Sequence, residues 1–342
     1  MDRIIVLGGK GGVGKSSISA ATAVLLSDLL PNKKILVISF DMAHNLSDLF
    51  STEIGNKLTK LNSTGNLWGI EPDPNIYAEE YTKTLIEKMK ILMKKMPIVG
   101  FIPQIEEFID TTFTADSIPL ALKNAMFFQK ILDAEDLSQE VLFDIVVVDM
   151  PPTGNMLALF EIPEDQVKVV LKYSLNFYNS IRGAIQNVSK IFKKFISPFA
   201  DDKKRRELGI EILKMVQDLE QRGERITQLI HDIGSLRLVT IAEKPSFQEI
   251  KRARDLTKKY IDLHGVHVNL LIPEDAAEHC DFCHSMFITQ QKYLNEIIQE
   301  FKNLKIWKSR RLKKEPIGIN GLRELAKEVY NEPSSAKEIL YP

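Results

Sequence analysis

The sequence predicts an α/β fold built on a doubly wound, mostly parallel sheet with an inserted α-helical subdomain. Three observations carry that expectation. Short Val- and Ile-rich runs recur between long helical patterns, as strands buried on both faces do. A glycine-rich loop joins the first such run to a helix-forming stretch. Two helical blocks, much longer than an ordinary crossover, interrupt the alternation.

In chain order, strands are expected at Arg3–Leu7, Ile35–Phe40, Ile145–Asp149, Leu236–Ala242 and Val266–Ile272. A weaker one, Asn66–Glu71, is ended by Pro72 and Pro74. The chain then divides into a core of residues 1–75, 141–163 and 233–332, a helical subdomain of residues 76–140 and 164–232, and a tail, 333–342, expected to fray. At 342 residues it is long enough to bury a substantial core. With 45 basic and 46 acidic residues the net charge is -1, so no global field favours nucleic acid or an anionic membrane surface. Met1-Asp2-Arg3 runs directly into apolar Ile4–Leu7, which leaves no room for a signal peptide. No stretch reaches the roughly 18 apolar residues of a membrane span. A soluble, cytoplasmic protein without stable membrane insertion is the expectation.

Gly9-Lys10-Gly11-Gly12-Val13-Gly14-Lys15-Ser16 fits the P-loop pattern between a strand and the helical run Ser17–Leu30. Its glycines let backbone N–H groups close around phosphate, and the helix N-terminus adds a favourable dipole. Lys15 is expected on the β and γ phosphates of ATP, and Ser16 on magnesium. Asp41 and Asp149 end the second and third strands, at the ligand edge of an open α/β sheet. Asp41 is a candidate to orient or deprotonate the attacking water, or merely caps a following helix. Asp149 fits a Walker B carboxylate acting on magnesium through water, or a plain strand-end cap. Lys10 resembles the signature lysine of the deviant Walker A group, which implies that it reaches a partner subunit's nucleotide in a face-to-face dimer. A solvated loop lysine is the alternative.

Together these strings resemble the family of arsenite-efflux ATPases and the Get/TRC-pathway ATPases that target tail-anchored membrane proteins. Residues 9–17, Gly9 to Ser17, look like the family P-loop. Asp41–Phe50 looks like its first switch and Asp149–Gly154 like its second, with departures at Met42, Met150, Pro151 and Asn155. The resemblance implies that Glu243 meets the signature lysine across the dimer and that Asn269 reads adenine. Ile317–Leu322 is only loosely similar to the family's adenine-side loop, and no contact is assigned there.

Cys280 and Cys283 are the only cysteines. A closed zinc site takes four ligands, so one chain supplies half a set, and a second copy across a twofold axis would complete a zinc site of four thiolates. The family's zinc segment points the same way. His279 and His284 completing an intrachain site, or a redox dithiol, are the alternatives. His264 and His267 read as ordinary strand-end residues.

The block Val167–Phe199 is unusually apolar, and Met89, Met93 and Met96 suit an adaptable wall. Two such faces would form a groove able to shield the transmembrane helix of a tail-anchored client before delivery to a membrane receptor. The same residues would equally serve as the subdomain's own core. The basic run Lys203–Arg206 reads as solvated surface. An arsenite-pump subunit and a MinD/ParA-like positioning ATPase are the competing readings; the latter would need a membrane-binding helix or a basic DNA-binding surface, and neither is evident.

Overall fold

The computed structural model describes residues 1–41, 45–61, 65–73, 143–153, 228–331 and 335–342, with single positions 76, 79, 83 and 156. The chain divides into two compact units, one of residues 1–73, 130–160 and 227–342, the other of residues 74–129 and 161–226. The first holds nearly everything described. The apolar block Val167–Phe199, the three methionines and Lys203–Arg206 lie outside the described residues, as do Met42, Gly154 and Asn155.

Eight strands form one sheet: β1 (Arg3–Gly9), β2 (Ile35–Ser39), β3 (Thr59–Lys60), β4 (Leu67–Ile70), β5 (Ile145–Asp149), β6 (Gly234–Ile241), β7 (Leu263–Leu271) and β8 (Lys305–Arg310). Their spatial order is β3-β4-β2-β5-β1-β6-β7-β8, with every pairing parallel except β3 with β4. All residues of β1, β2, β4 and β5 are buried, which explains why these strands read as unbroken apolar runs. The sequence reading missed β3 and β8. Lys305–Arg310, with only Trp307 and Ser309 buried, forms the sheet's edge, where lysines discourage further strand addition.

Helix α1 (Lys15–Leu29) is rich in small residues and is buried over most of its surface, with Ser19, Ala20, Ala21, Thr22 and Ala23 at 0% exposure. The remaining described helices are α2 (Asn45–Phe50), α3 (Lys244–Thr257), α4 (Glu274–Glu278), α5 (Asp281–Glu300), α6 (Gly318–Tyr330) and α7 (Ala336–Leu340). The Thr22 and Tyr330 hydroxyls share a 2.7 Å hydrogen bond that ties α1 to α6. At the C-terminal end of α1, the buried Asn66 amide donates to the Ser27 carbonyl at 3.0 Å, an oxygen the helix end leaves open, and lies 3.3 Å from the carbonyls of Leu30 and Lys33.

The C-terminal segment does not follow the expectation of a frayed tail. Helix α7 packs on the sheet unit through Ile339, which has no exposed surface. Arg237, fully buried on β6, donates to the Ile339 carbonyl and to the Tyr330 hydroxyl, and lies over the Trp307 ring at 5.0 Å. Arg3 donates to the Leu340 carbonyl at 3.0 Å. Burial lowers the Arg237 pKa, so the carbonyl ligand is part of what keeps a cation tolerable there. His267 is likewise buried mid-strand on β7, stacked on Trp307 at 4.4 Å, and burial holds its pKa well below the usual range. Both its ring nitrogens lack hydrogen-bond partners among the described residues. It is an uncharged core ring and not a strand-end residue.

Truncating Ile339 to alanine should therefore cost about 2–3 kcal/mol, the low end for a buried isoleucine because a terminal helix can relax. Urea unfolding should show a lower midpoint with an unchanged slope. An unshifted midpoint would mean that α7 does not hold the core.

Candidate functional site

The parallel order places the C-terminal ends of β2, β5 and β1 side by side, with Ser39 in register with Asp149 and Asp149 with Leu7. Loops leaving those ends converge on one region, as the topology of open α/β sheets dictates. Gly9 closes β1 at φ 150°, and a Cβ there would collide with the Val239 carbonyl of the neighbouring strand. Gly14 occupies the left-handed region at φ 86° as N-cap of α1, and a Cβ there would strike the Asn269 amide. Glycine at both positions is thus a steric requirement of this loop and this sheet.

Lys15 is buried, and its ammonium donates to the Lys10 carbonyl across the loop at 3.2 Å. Lys10 itself is exposed, as are Gly11 and Gly12. Beneath the loop lies Asp149, with no exposed surface. Its Oδ2 accepts from Ser39 Oγ at 2.9 Å and its Oδ1 from Ser19 Oγ at 3.4 Å, and Ser16 is a further hydrogen-bond partner. Burial pushes the Asp149 carboxyl up to about 6; Ser16, Lys15 and Ser39 pull it down, while Asp41 repels. Ser39 also accepts from the Asp41 backbone N–H at 3.2 Å, linking the two acidic positions through one hydroxyl.

A cleft of about 410 Å3 opens over this network. Gly12, Gly14, Lys15, Ser16, Ser17 and Asp41 line it, together with Asp48 and Leu49 of α2 and Glu315, Pro316 and Ile317 before α6. It combines a cationic head, hydroxyls, the N-terminus of a 15-residue helix and an apolar lip, a set suited to a phosphate bearing a planar base. Pro316 and Ile317, to which the sequence assigned no contact, supply that lip, and Ile317 is an exposed apolar side chain at 49%. Ser19 and Ser39 were also missed, and Asp48 and Leu49 were read only as part of the switch-like segment Asp41–Phe50. Serine hydroxyls inside a strand and a helix carry no signal until the fold brings them to a buried carboxylate.

Asn269 sits behind the loop. Its Nδ2 donates to the Val13 carbonyl at 3.0 Å, and its Oδ1 accepts from Ser309 Oγ at 2.7 Å. One N–H of the amide nitrogen is thereby committed to shaping the loop. Glu243 is half-buried as N-cap residue of α3 without making a side-chain cap. Neither residue lines the cleft, and nor does Lys10.

The cysteine pair lies elsewhere, at the start of α5. Cys280 is its N-cap, with Sγ accepting from the Cys283 N–H at 3.3 Å. That backbone bond and the Cys283 thiol lower the Cys280 pKa, and the Cys283 pKa is raised in turn. Phe282 between them is 73% exposed, and Ile288 further along the helix 55%. Among the described residues no group of three or more His, Cys, Asp or Glu is placed to hold a metal.

Because Ser309 reaches the loop only through Asn269, Ser309→Ala should weaken ATP binding by about two- to fivefold, the effect of one lost neutral hydrogen bond. Calorimetric titration against wild type measures it. An unchanged affinity would mean that the Asn269 contact does not shape the loop.

The chain matches the anion-transporting ATPase family over residues 2–331. It is 26% identical over 341 residues to ATPase ASNA1 homolog 1 of Paramecium tetraurelia, covering 98% of this chain and 94% of that protein. It is 28% identical over 353 residues to ATPase GET3 of Debaryomyces hansenii, covering 98% and 93%. To the "Putative arsenical pump-driving ATPase" of Chlorobaculum tepidum it is 29% identical over 337 residues, covering 96% and 76%. A match of this extent, on a sheet that presents a complete P-loop over a buried carboxylate, makes the chain a member of the anion-transporting ATPase family and an ATPase.

Proposed function

We propose that this ATPase is a homodimeric, ATP-switched carrier that shields the transmembrane helix of tail-anchored proteins and delivers them to a membrane receptor. Similarity to ATPase GET3 and ATPase ASNA1 proteins along nearly the full chain supports that reading. The observation that carries it is the cysteine pair: Cys280 and Cys283 stand at the surface on either side of exposed Phe282, and supply half of a tetrahedral zinc set. A second copy of the same helix end completes that set and covers the apolar side chain. Zinc bound there would clamp two subunits together.

In the nucleotide cleft, Lys15 would leave the Lys10 carbonyl for the β and γ phosphates. Ser16 and Asp149, the latter held by Ser19 and Ser39, are the residues that would hold magnesium, which would supply charge neutralisation at the transferring phosphoryl group. Asp41, at the cleft wall, orients the attacking water. Gly9 to Val13 shape the loop, Ser17 adds a hydroxyl, and Pro316 and Ile317 flank the base. Asn269 reads adenine with its second amide hydrogen. Lys10, exposed on the loop, reaches the partner's nucleotide and meets the partner's Glu243. The client groove belongs to residues 76–140 and 164–232, and the setting is cytoplasmic.

Metalloid-driven efflux is the second reading, favoured by the similarity to the Chlorobaculum tepidum protein. Co-expression with a protein bearing a single C-terminal transmembrane helix separates the two. The carrier reading expects a complex of two subunits per helix, discharged by ATP hydrolysis. A folded, ATP-binding dimer that retains no helix but hydrolyses faster with antimonite would replace it with the second reading.

Asp41→Asn should lower kcat by at least about 100-fold with ATP affinity nearly unchanged, the loss typical of a removed acid–base group. The double variant Cys280→Ser, Cys283→Ser should lose its zinc, present at one per two chains, and run as a monomer in light scattering. A metal-free wild-type dimer insensitive to chelator would instead assign the pair to redox chemistry.

A further inference from the structure

Glu71 lies just beyond β4, 2% exposed, and all its described side-chain hydrogen bonds go to the first turn of α2. Its Oε1 accepts from the Leu46 N–H at 2.7 Å, and its Oε2 accepts from the Ser47 N–H at 3.0 Å and from the Ser47 hydroxyl at 2.6 Å. A buried carboxylate is tolerated only where donors and dipoles meet it, and the first turn of a helix offers both. The same Ser47 hydroxyl oxygen accepts from the Ile54 N–H at 3.0 Å and lies 3.0 Å from the Ile54 carbonyl. The Glu71 N–H donates to the Gly55 carbonyl, also at 3.0 Å. Strand β4, helix α2 and the loop that follows it are thus fastened at one carboxylate.

What α2 carries makes that fastening relevant to chemistry. Asp48 and Leu49 line the nucleotide cleft with Asp41, while Leu46 and Phe50 are buried in the core. Asp41 is anchored by Ser39 through its N–H, and the first turn of α2 is anchored by Glu71 through Leu46 and Ser47. Shifting α2 by the breadth of a lost hydrogen bond would move the cleft wall that Asp48 and Leu49 form, without touching Lys15, Ser16 or the glycines.

We propose that Glu71 is a positioning residue for ATP hydrolysis, holding α2 so that Asp41 and the helix face at the cleft keep their places over the phosphate. The proposal rests on the assignment of Asp41 to the attacking water. Both carboxylate oxygens are acceptors, so glutamine, nearly identical in shape, must turn an NH2 toward one of the α2 donors. Charge and bulk are thereby separated.

The test compares Glu71→Gln, Ser47→Ala and Asp41→Asn in the full-length protein for kcat, KM for MgATP, ATP dissociation constant and melting temperature. The expected result is a fall in kcat of about tenfold or more for Glu71→Gln, within the reach of sub-ångström misplacement, with ATP affinity within about threefold of wild type. Ser47→Ala, which deletes one donor and keeps both backbone N–H groups, should lower kcat about two- to threefold. Wild-type kcat in Glu71→Gln, whatever its melting temperature, would make the residue a structural cap and overturn the proposal. If Glu71→Gln does not fold, unchanged kcat in Ser47→Ala overturns it alone. Loss of activity in Glu71→Gln without loss in Asp41→Asn would overturn the Asp41 assignment and leave α2 positioning intact.

Discussion

Three strands and a helix meet at one carboxylate without access to water. Asp149 ends β5, takes hydrogen bonds from Ser16 and Ser19 of α1 and from Ser39 of β2, and sits in register with Leu7 of β1. An isolated buried carboxylate would be expelled or neutralised, and burial does push this one up to about 6. The serines and Lys15 oppose that pressure. They can do so only if α1 leaves the P-loop in one direction and β2 lies immediately beside β5, so the demand of one buried charge fixes loop, helix and strand together.

The same physics recurs twice more in the described unit. Arg237 is a buried cation made tolerable by a backbone carbonyl of α7, a tyrosine hydroxyl and an indole face, which turns the last residues of the chain into part of the core. Glu71 is a buried anion made tolerable by the first turn of α2. In each case a short element that could not hold its own conformation is secured by a charge that cannot reach solvent.

Much of the fold was legible because parallel strands buried on both faces have no choice of composition. Ile145–Asp149 was read to the residue, and five further strand expectations fell within a few residues of their observed bounds. Lys305–Arg310 was not legible: an edge strand needs only one apolar face, and Trp307 and Ser309 are its only buried positions. The tail was misjudged because Arg237 and Ile339 are 102 residues apart, and nothing local tells an arginine that its ligand is a distant carbonyl. At the site, glycine and lysine spacing announced the phosphate loop. Ser19, Ser39, Pro316 and Ile317 stayed silent, since a serine within a helix and a proline within a loop are ordinary until another element arrives beside them.

The sequence by itself determined six of the eight strands, the glycine-rich loop into α1, and the acidic residues at strand ends, because each depends on neighbours close along the chain: apolar runs, glycines that permit positive φ, a helix start. Only the tertiary structure decided which distant groups share a buried charge. It placed Asn269 behind Val13 and not along the cleft wall, brought the loop before α6 to the nucleotide side, and joined Glu71 to the helix after Asp41. Those pairings follow from desolvation, which acts on groups by their depth in the folded core and is indifferent to their separation in the chain.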